Sequence, residues 1–178
     1  MMEHVRLPDG QIICNWPIVD ARNYCNIVVC NEAGEILVRD GYRHGARRSS
    51  WQMVAGHLEN AADDPFHFSE QLLRTVGYTS SDWEYLGGFV VDGDQHVSVA
   101  HFFLALSAEA LPRDAAERPE EAGENWRWVS LADLQTALFD GRISLLNDAA
   151  NLLFAFQALE RRKRQGAIDR LLKSQENH

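Results

Sequence analysis

The residues whose types and spacing most clearly suggest a chemical function lie in a stretch bounded by two glycines. These are Gly56 and Gly77, which stand 21 positions apart. Carboxylates at helix positions i, i+3 and i+4 share one face and can there hold divalent cations against a diphosphate. The corresponding positions of this stretch carry Gln71, Arg74 and Thr75. These side chains offer no anionic oxygen, and a guanidinium repels a cation at short range. The stretch therefore keeps the spacing of a cation-assisted phosphate site without its charge.

Local signals predict a helix inside this stretch. Asp64 is a strong N-cap, and Pro65 suits the first helical position. Gly77 is placed as a C-terminal stop. The apolar positions of the helix are Phe66, Phe68, Leu72, Leu73 and Val76.

Strands are predicted on both sides of the helix. Turn signals at Pro8-Asp9-Gly10 and at residues 31–34 separate β-prone runs, which predicts two hairpins before the helix. Further strands are predicted at 51–54, 83–91, 96–106 and 126–129, and a loop at 107–125. Ser130 caps a short helix, and a long helix begins near residues 145–147.

The glycine-bounded stretch resembles the Nudix box, G-x5-E-x7-R-E-U-x-E-E-x-G-U, where U is aliphatic or aromatic. The framing glycines, the apolar Leu72 and the closing Gly77-Tyr78 match without a gap. The loop glutamate of the pattern falls on Ala62, and its three helix glutamates fall on the neutral and basic residues described above. We therefore interpret the stretch as a degenerate Nudix box.

Several other segments resemble the ADP-ribose pyrophosphatase branch of this superfamily, over about residues 4–160. The matching segments are Val5–Gly10, Leu37–Arg39, Tyr42–Gly45, Ala55-Gly56, Trp83–Gly87 and Trp128–Leu131. The branch has a glutamate where this chain has Gln52. The resemblance implies an α/β class fold: the Nudix α/β/α sandwich, with a mixed β-sheet, an N-terminal β-hairpin, the Nudix loop-helix-loop and a C-terminal helix. We expect residues 1–20 to form the hairpin, 21–160 the Nudix domain and 161–178 a helical tail.

Some carboxylates remain that could restore catalysis. Glu59, Asp63 and Glu70 are candidates for a rebuilt cation site, and Glu121 and Glu124 lie in the late loop where relatives place an auxiliary acid. The alternative is structural, since surface turns and solvated loops also carry acidic residues. We assign no metal ligand, and Mg²⁺ or Mn²⁺ is expected as a cofactor only if this rebuilt site exists.

The resemblance also places candidate binding residues. Arg39 and Arg43 match basic positions that face substrate phosphates, and a guanidinium suits bidentate phosphate contact; both could instead form surface salt bridges. The small Gly56 permits close backbone approach. Trp16 and Tyr24 could stack on a nucleobase, although core or interface packing explains either equally well.

Arg74 suggests a further hypothesis. Its guanidinium stands where the family holds cations, so it could itself neutralise a diphosphate without metal. Two function classes follow. One is a Nudix-fold module that binds a nucleoside-diphosphate-linked ligand such as ADP-ribose with weak or lost hydrolysis. The other is an active hydrolase of that substrate class that uses the remaining carboxylates.

Composition limits the possible partners. A formal charge of −9 over 178 residues argues against nucleic-acid binding. No apolar run approaches membrane-spanning length, and the cysteines and histidines show no ligand spacing typical of zinc. We expect a cytoplasmic protein without membrane contact. The family resemblance and the exposed edges of the hairpin predict a homodimer.

Overall fold

A computed structural model describes residues 1–94, 96–112 and 126–176. The strands are β1 Met2–Arg6, β2 Ile12–Pro17, β3 Tyr24–Val29, β4 Ile36–Arg43, β5 Arg48–Gln52, β6 Val54–His57, β7 Tyr78–Thr79, β8 Asp82–Asp92, β9 His96–Leu106, β10 Glu109–Ala110 and β11 Trp126–Val129. The helices are α1 Pro65–Thr75, α2 Leu131–Asp140 and α3 Leu146–Glu176. No helix in this described part is long and apolar enough to cross a membrane.

The largest sheet has the strand order β6-β3-β9-β8. Strand β3 runs parallel to β9 and antiparallel to β6, while β8 and β9 form a long antiparallel pair. Every residue of β3 is buried, which agrees with its nearly continuous apolar sequence. A second sheet has the order β11-β4-β5, and β1–β2 and β7–β10 form separate pairs.

Alternation along β3 divides the core into two layers. Cys25 and Ile27 belong to one cluster of buried residues, which includes Leu73 of α1. Val28 belongs to the other, which includes Leu134 of α2 and also residues of α3. Because successive side chains of a strand point to opposite faces, α1 covers one face of the sheet and α2 and α3 cover the other.

The predicted helix starts are confirmed at both caps. The Asp64 carboxylate accepts a hydrogen bond of 3.0 Å from the backbone N–H of Phe66 and so begins α1. The Ser130 hydroxyl accepts one of 3.1 Å from the N–H of Asp133 and begins α2. These interactions satisfy backbone donors that a helix start leaves unpaired.

The prediction of one strand over residues 51–54 was wrong. The segment is divided between β5 and β6. Met53 lies between them, and its backbone N–H points to Asp148 of α3 at 3.4 Å. Strand β5 also begins earlier, at Arg48, where it pairs with the end of β4. Its polar first residues, Arg48 and Ser49, concealed this hairpin in the sequence.

Candidate functional site

A cleft of about 260 Å³ lies between strands β3 and β6 and the beginning of α3. We call it the α3 cleft. Its lining residues are Tyr24, Asn26, Arg43, Met53, Ala55, Gly56, His57, Leu145, Asn147 and Asp148. Three of the predicted binding residues, Tyr24, Arg43 and Gly56, therefore line one cavity.

Asp148 in the first turn of α3 forms part of the wall of this cleft. Its Oδ1 accepts a 2.7 Å hydrogen bond from Nδ2 of Asn26 and a 3.4 Å one from the N–H of Met53. The residue is only 3% exposed. Burial raises the pKa of its carboxyl group to about 6, although those hydrogen bonds and the charge of Arg43 act in the opposite direction.

A second asparagine holds this arrangement in place from α3. Nδ2 of Asn151 donates to the backbone oxygen of Asn26 at 2.8 Å and to its Oδ1 at 2.7 Å. This orients the Asn26 amide so that its Nδ2 points to Asp148. The three buried side chains thus form a connected polar network inside an otherwise apolar layer, which fixes the position of the carboxyl group.

Tyr24 lies beside this network. Its ring makes an edge contact with the ring of His57, with the centroids 5.6 Å apart. The Tyr24 hydroxyl is buried and has no hydrogen-bond partner among the residues that the structure describes. Burial, followed by the negative charge of Asp148, raises the pKa of Tyr24 to about 12. Tyr24 is therefore a neutral donor with an unused hydrogen.

Arg43 is the cationic residue that the structure places in this cleft. It lies at the exposed end of β4. Arg39, four residues earlier, has a different position. Its guanidinium carbon lies over the Trp126 ring, 5.3 Å from the centroid, and it does not line the α3 cleft. The structure thus separates two arginines that the sequence placed together.

Trp16 is also separate from the cleft. Its indole Nε1 donates to the backbone oxygen of Asp94. The contact ties the β1–β2 hairpin to the turn between β8 and β9. This contact favours the structural alternative for Trp16 over nucleobase stacking.

A second cleft, of about 210 Å³, follows α1 on the opposite side of the sheet. We call it the α1 cleft. Its lining residues are His67, Glu70, Gln71, Leu73, Arg74, Thr79, Ser80 and Trp83. The Gln71 amide nitrogen lies 3.1 Å from Nε2 of His67, and a Glu70 oxygen lies 3.9 Å from its Nδ1. The predicted residues Glu70 and Arg74 therefore belong to this second cavity.

Gly56 lies between the α3 cleft and helix α1. It lines the α3 cleft, while a Cβ atom built on it would lie 3.2 Å from the methyl groups of Leu72 and 3.3 Å from the Phe68 ring. Both neighbours belong to α1. The absence of a side chain at position 56 therefore permits the close packing of α1 on β6.

The remaining carboxylates are dispersed. Glu59 is exposed and lines neither cleft. Asp63 closes a turn by accepting a 2.8 Å hydrogen bond from the N–H of Asn60. No group of three or more His, Cys, Asp or Glu side chains in the described ranges could hold a metal ion. Glu121 and Glu124 lie outside the described residues, so a rebuilt cation site stays a prediction.

Sequence inspection missed the polar network of the α3 cleft. A signal was present: Asn26 is polar within an apolar strand, and Asp148 and Asn151 are spaced i, i+3 at the start of the long helix. Their pairing needs the packing of α3 on β3, more than 120 residues away in the chain.

No protein-family model matches the chain. It is 29% identical to an ADP-ribose pyrophosphatase from Mycobacterium tuberculosis over 148 residues, which cover 79% of this chain and 68% of that protein. A crystal structure of an ADP compounds hydrolase superposes with a TM-score of 0.70 at 14% identity, covering 90% of this chain and 85% of that one. A structure from a study of MutT of Aliivibrio salmonicida and Vibrio cholerae gives a TM-score of 0.54 at 17% identity, covering 76% and 97%.

Proposed function

Because the chain has an ADP-ribose pyrophosphatase-like Nudix fold, we propose that it binds a nucleoside-diphosphate-linked small molecule and hydrolyses its phosphoanhydride weakly or not at all. The observation that carries this proposal is the α3 cleft. It joins a cationic side chain, the backbone of Ala55 and Gly56 and several polar groups in one cavity. The chain's likeness to a protein named ADP-ribose pyrophosphatase supports the same class of ligand.

Arg43 is the residue that we assign to the phosphates. A guanidinium presents planar, paired donors that match two phosphate oxygens, and such charge-assisted hydrogen bonds are among the strong ones. The β6 backbone at Ala55 and Gly56 lines the same cavity. Tyr24 and His57, whose rings are in contact, form an aromatic wall beside them.

Weak hydrolysis follows from the residues of α1. Hard divalent cations require several anionic oxygens, and the helix positions at which the Nudix box has glutamates carry an amide, a guanidinium and a hydroxyl. The Thr75 hydroxyl donates to the backbone oxygen of Leu72 at 2.8 Å. The described part of the chain therefore does not fit a Mg²⁺ or Mn²⁺ site.

The test is binding and turnover of ADP-ribose measured side by side. We expect calorimetry to detect saturable binding without added cation, and chromatography to detect little or no AMP with Mg²⁺ or Mn²⁺ present. Cation-dependent release of AMP that is lost in Glu70→Gln or Glu59→Gln would instead establish the alternative, a hydrolase with rearranged carboxylates.

The proposed assembly is a homodimer formed through the β1–β2 hairpin. This hairpin forms its own two-stranded sheet, and its apolar residues Met2 and Ile12 are exposed. Such an edge is a template for association. Light scattering should give twice the monomer mass, and the double substitution Met2→Lys and Ile12→Lys should lower that mass to the monomer's.

A further inference from the structure

The α3 cleft contains a carboxyl group, that of Asp148, which phosphate binding does not explain. Oδ1 of Asp148 is held by Asn26 and Met53, but no described residue donates to Oδ2. Asp148 lines the cavity, so this oxygen is an acceptor available to a bound ligand. An anionic side chain would repel a phosphate. Oδ2 of Asp148 therefore suits an uncharged hydrogen-bond donor elsewhere in the ligand.

Hydroxyl groups are the donors that suit this position. A carboxylate accepts at both of its oxygens, and with one oxygen already fixed, the other can accept from a sugar hydroxyl.

The charges of the cleft match a sugar phosphate. Arg43 supplies a positive charge, and its electrostatic influence reaches Asp148. A ribose 5-phosphate unit has the complementary order, with a phosphate at one end of the pentose and two adjacent hydroxyl groups at the other. Both features therefore fit a single ribose unit of a nucleoside-diphosphate-linked molecule.

We propose that Asp148 selects ribose over deoxyribose in the α3 cleft by accepting hydrogen bonds from ribose hydroxyl groups at Oδ2, while Arg43 holds the adjacent phosphate. This inference rests on the proposed function and deepens it, because it names the sugar class that the site takes. A site built to hydrogen-bond a hydroxyl group rejects the analogue that lacks it, because its polar group is then left unpaired.

The experiment measures the direct binding of two matched pairs of probes at pH 7.5 by calorimetry. One pair is ribose 5-phosphate and 2-deoxyribose 5-phosphate, and the other is ADP and 2′-deoxy-ADP. We expect about a ten-fold preference for the ribose compound in at least one pair, which is the size of one hydrogen bond to a charged group. The responding pair identifies which ribose of the ligand occupies the cleft.

Two variants locate the preference. Asp148→Asn keeps an acceptor for Asn26 and Met53 but removes the charge, and it should reduce the preference to less than two-fold. Glu160→Gln is the matched control, because Glu160 lies exposed on the same helix, paired with Lys163; it should keep the full preference. Circular dichroism and thermal unfolding confirm that both variants are folded.

The outcomes separate this inference from the proposed function. Equal affinities within both pairs, or a preference that survives Asp148→Asn, would overturn ribose selection even if ADP-ribose binds. Absence of ADP-ribose binding together with a ribose preference that depends on Asp148 would support the ribose site and overturn the proposed ligand. Absence of binding by all probes would overturn both.

Discussion

The two clefts flank the same sheet but differ in what their polar residues contact. At the α3 cleft, Asn26 and Asp148 are buried and hydrogen-bonded to each other, and Asn151 behind them donates to Asn26. In the α1 cleft, Gln71 and Glu70 are arranged around the exposed ring of His67. The sequence motif points to α1, whereas the preorganised polar groups are on the α3 side.

This difference shows that the spacing of Gly56 and Leu72 has a packing explanation, because α1 lies directly against β6 there. The α3 cleft, in contrast, contains a buried carboxyl group and an unpaired tyrosine hydroxyl, both of which cost stability. Perturbed groups that lie in a cleft are candidates for function. Substitutions on the two sides should therefore have opposite consequences.

The largest expected effect is on stability, in Asp148→Asn. The pKa of this carboxyl group is about 6 in the folded protein, above its usual 3.8. Between these values the folded state binds more protons than the unfolded one, so stability falls as pH rises through that window and stays lower above it. At pH 7.5 the variant should be more stable by up to about 3 kcal/mol, at 1.36 kcal/mol per pKa unit.

Denaturant unfolding at pH 4 and pH 7.5 checks this prediction. The gain in the free energy of unfolding of Asp148→Asn should be nearly absent at pH 4, where the carboxyl group of the folded parent protein is already protonated. The other titratable groups of the cleft, Arg43, Tyr24 and His57, are present in both proteins, so only their interactions with Asp148 differ between them. A variant less stable than the parent protein at pH 7.5 would show that the carboxylate stabilises the fold.

The next largest effect is on ligand binding, in Arg43→Ala. Loss of a charge-assisted contact to phosphate costs about 1.5–3 kcal/mol, so the affinity for ADP-ribose should fall by roughly ten- to a hundred-fold. The affinity of Arg43→Lys should lie between those of the parent protein and Arg43→Ala, because lysine keeps the charge but lacks the planar pair of donors. Calorimetry measures all three proteins. Unchanged affinity in Arg43→Ala would show that the phosphates do not bind in the α3 cleft.

A smaller effect, on stability, is expected from Gly56→Ala, which tests the close packing of α1 on β6. The added methyl group would meet Leu72 and Phe68 at 3.2–3.3 Å, and overpacking of this kind costs at least about 1 kcal/mol. Thermal unfolding should show a lower melting temperature. Gly93→Ala is the control, because nothing lies within 4 Å of its added Cβ. Equal effects of the two substitutions would contradict close packing at Gly56.

The smallest effect is expected from Arg74→Glu in the α1 cleft. If the phosphates bind in the α3 cleft, on the other side of the sheet, this charge reversal should change ADP-ribose affinity by less than two-fold. Measured beside Arg43→Ala, it decides between the two arginines. A large loss in Arg74→Glu would instead support the hypothesis that this guanidinium neutralises the diphosphate in place of a cation.

Local signals predicted a large part of the fold. The start of α1 follows from the Asp64 side chain and the fixed backbone angle of Pro65, and the structure has both as predicted. The sandwich architecture is confirmed by the superposition on the ADP compounds hydrolase. The division of residues 51–54 between two strands was not predictable from local patterns, because the backbone N–H of Met53 between them contacts Asp148 of a distant helix.

The candidate site was predictable only in part. The resemblance suggested Tyr24, Arg43 and Gly56, and the structure places all three in one cavity. The sequence also suggested Arg39, which lies over Trp126, and Trp16, which donates a hydrogen bond to the turn at Asp94. The direction of a side chain at the end of a strand depends on its neighbours in the sheet, and spacing along the chain does not reveal them.

The sequence by itself determined the order of the helices and of most strands, the caps of α1 and α2, and the absence of carboxylates at positions 71, 74 and 75. These properties depend on single residues and on contacts a few positions apart. Only the tertiary structure decided that Asn26, Asp148 and Asn151 meet, and that Arg43 lines a cavity with Asn26 and Asp148. Their interactions join positions more than 100 residues apart, and the burial that raises the pKa of Asp148 exists only once α3 has packed on β3.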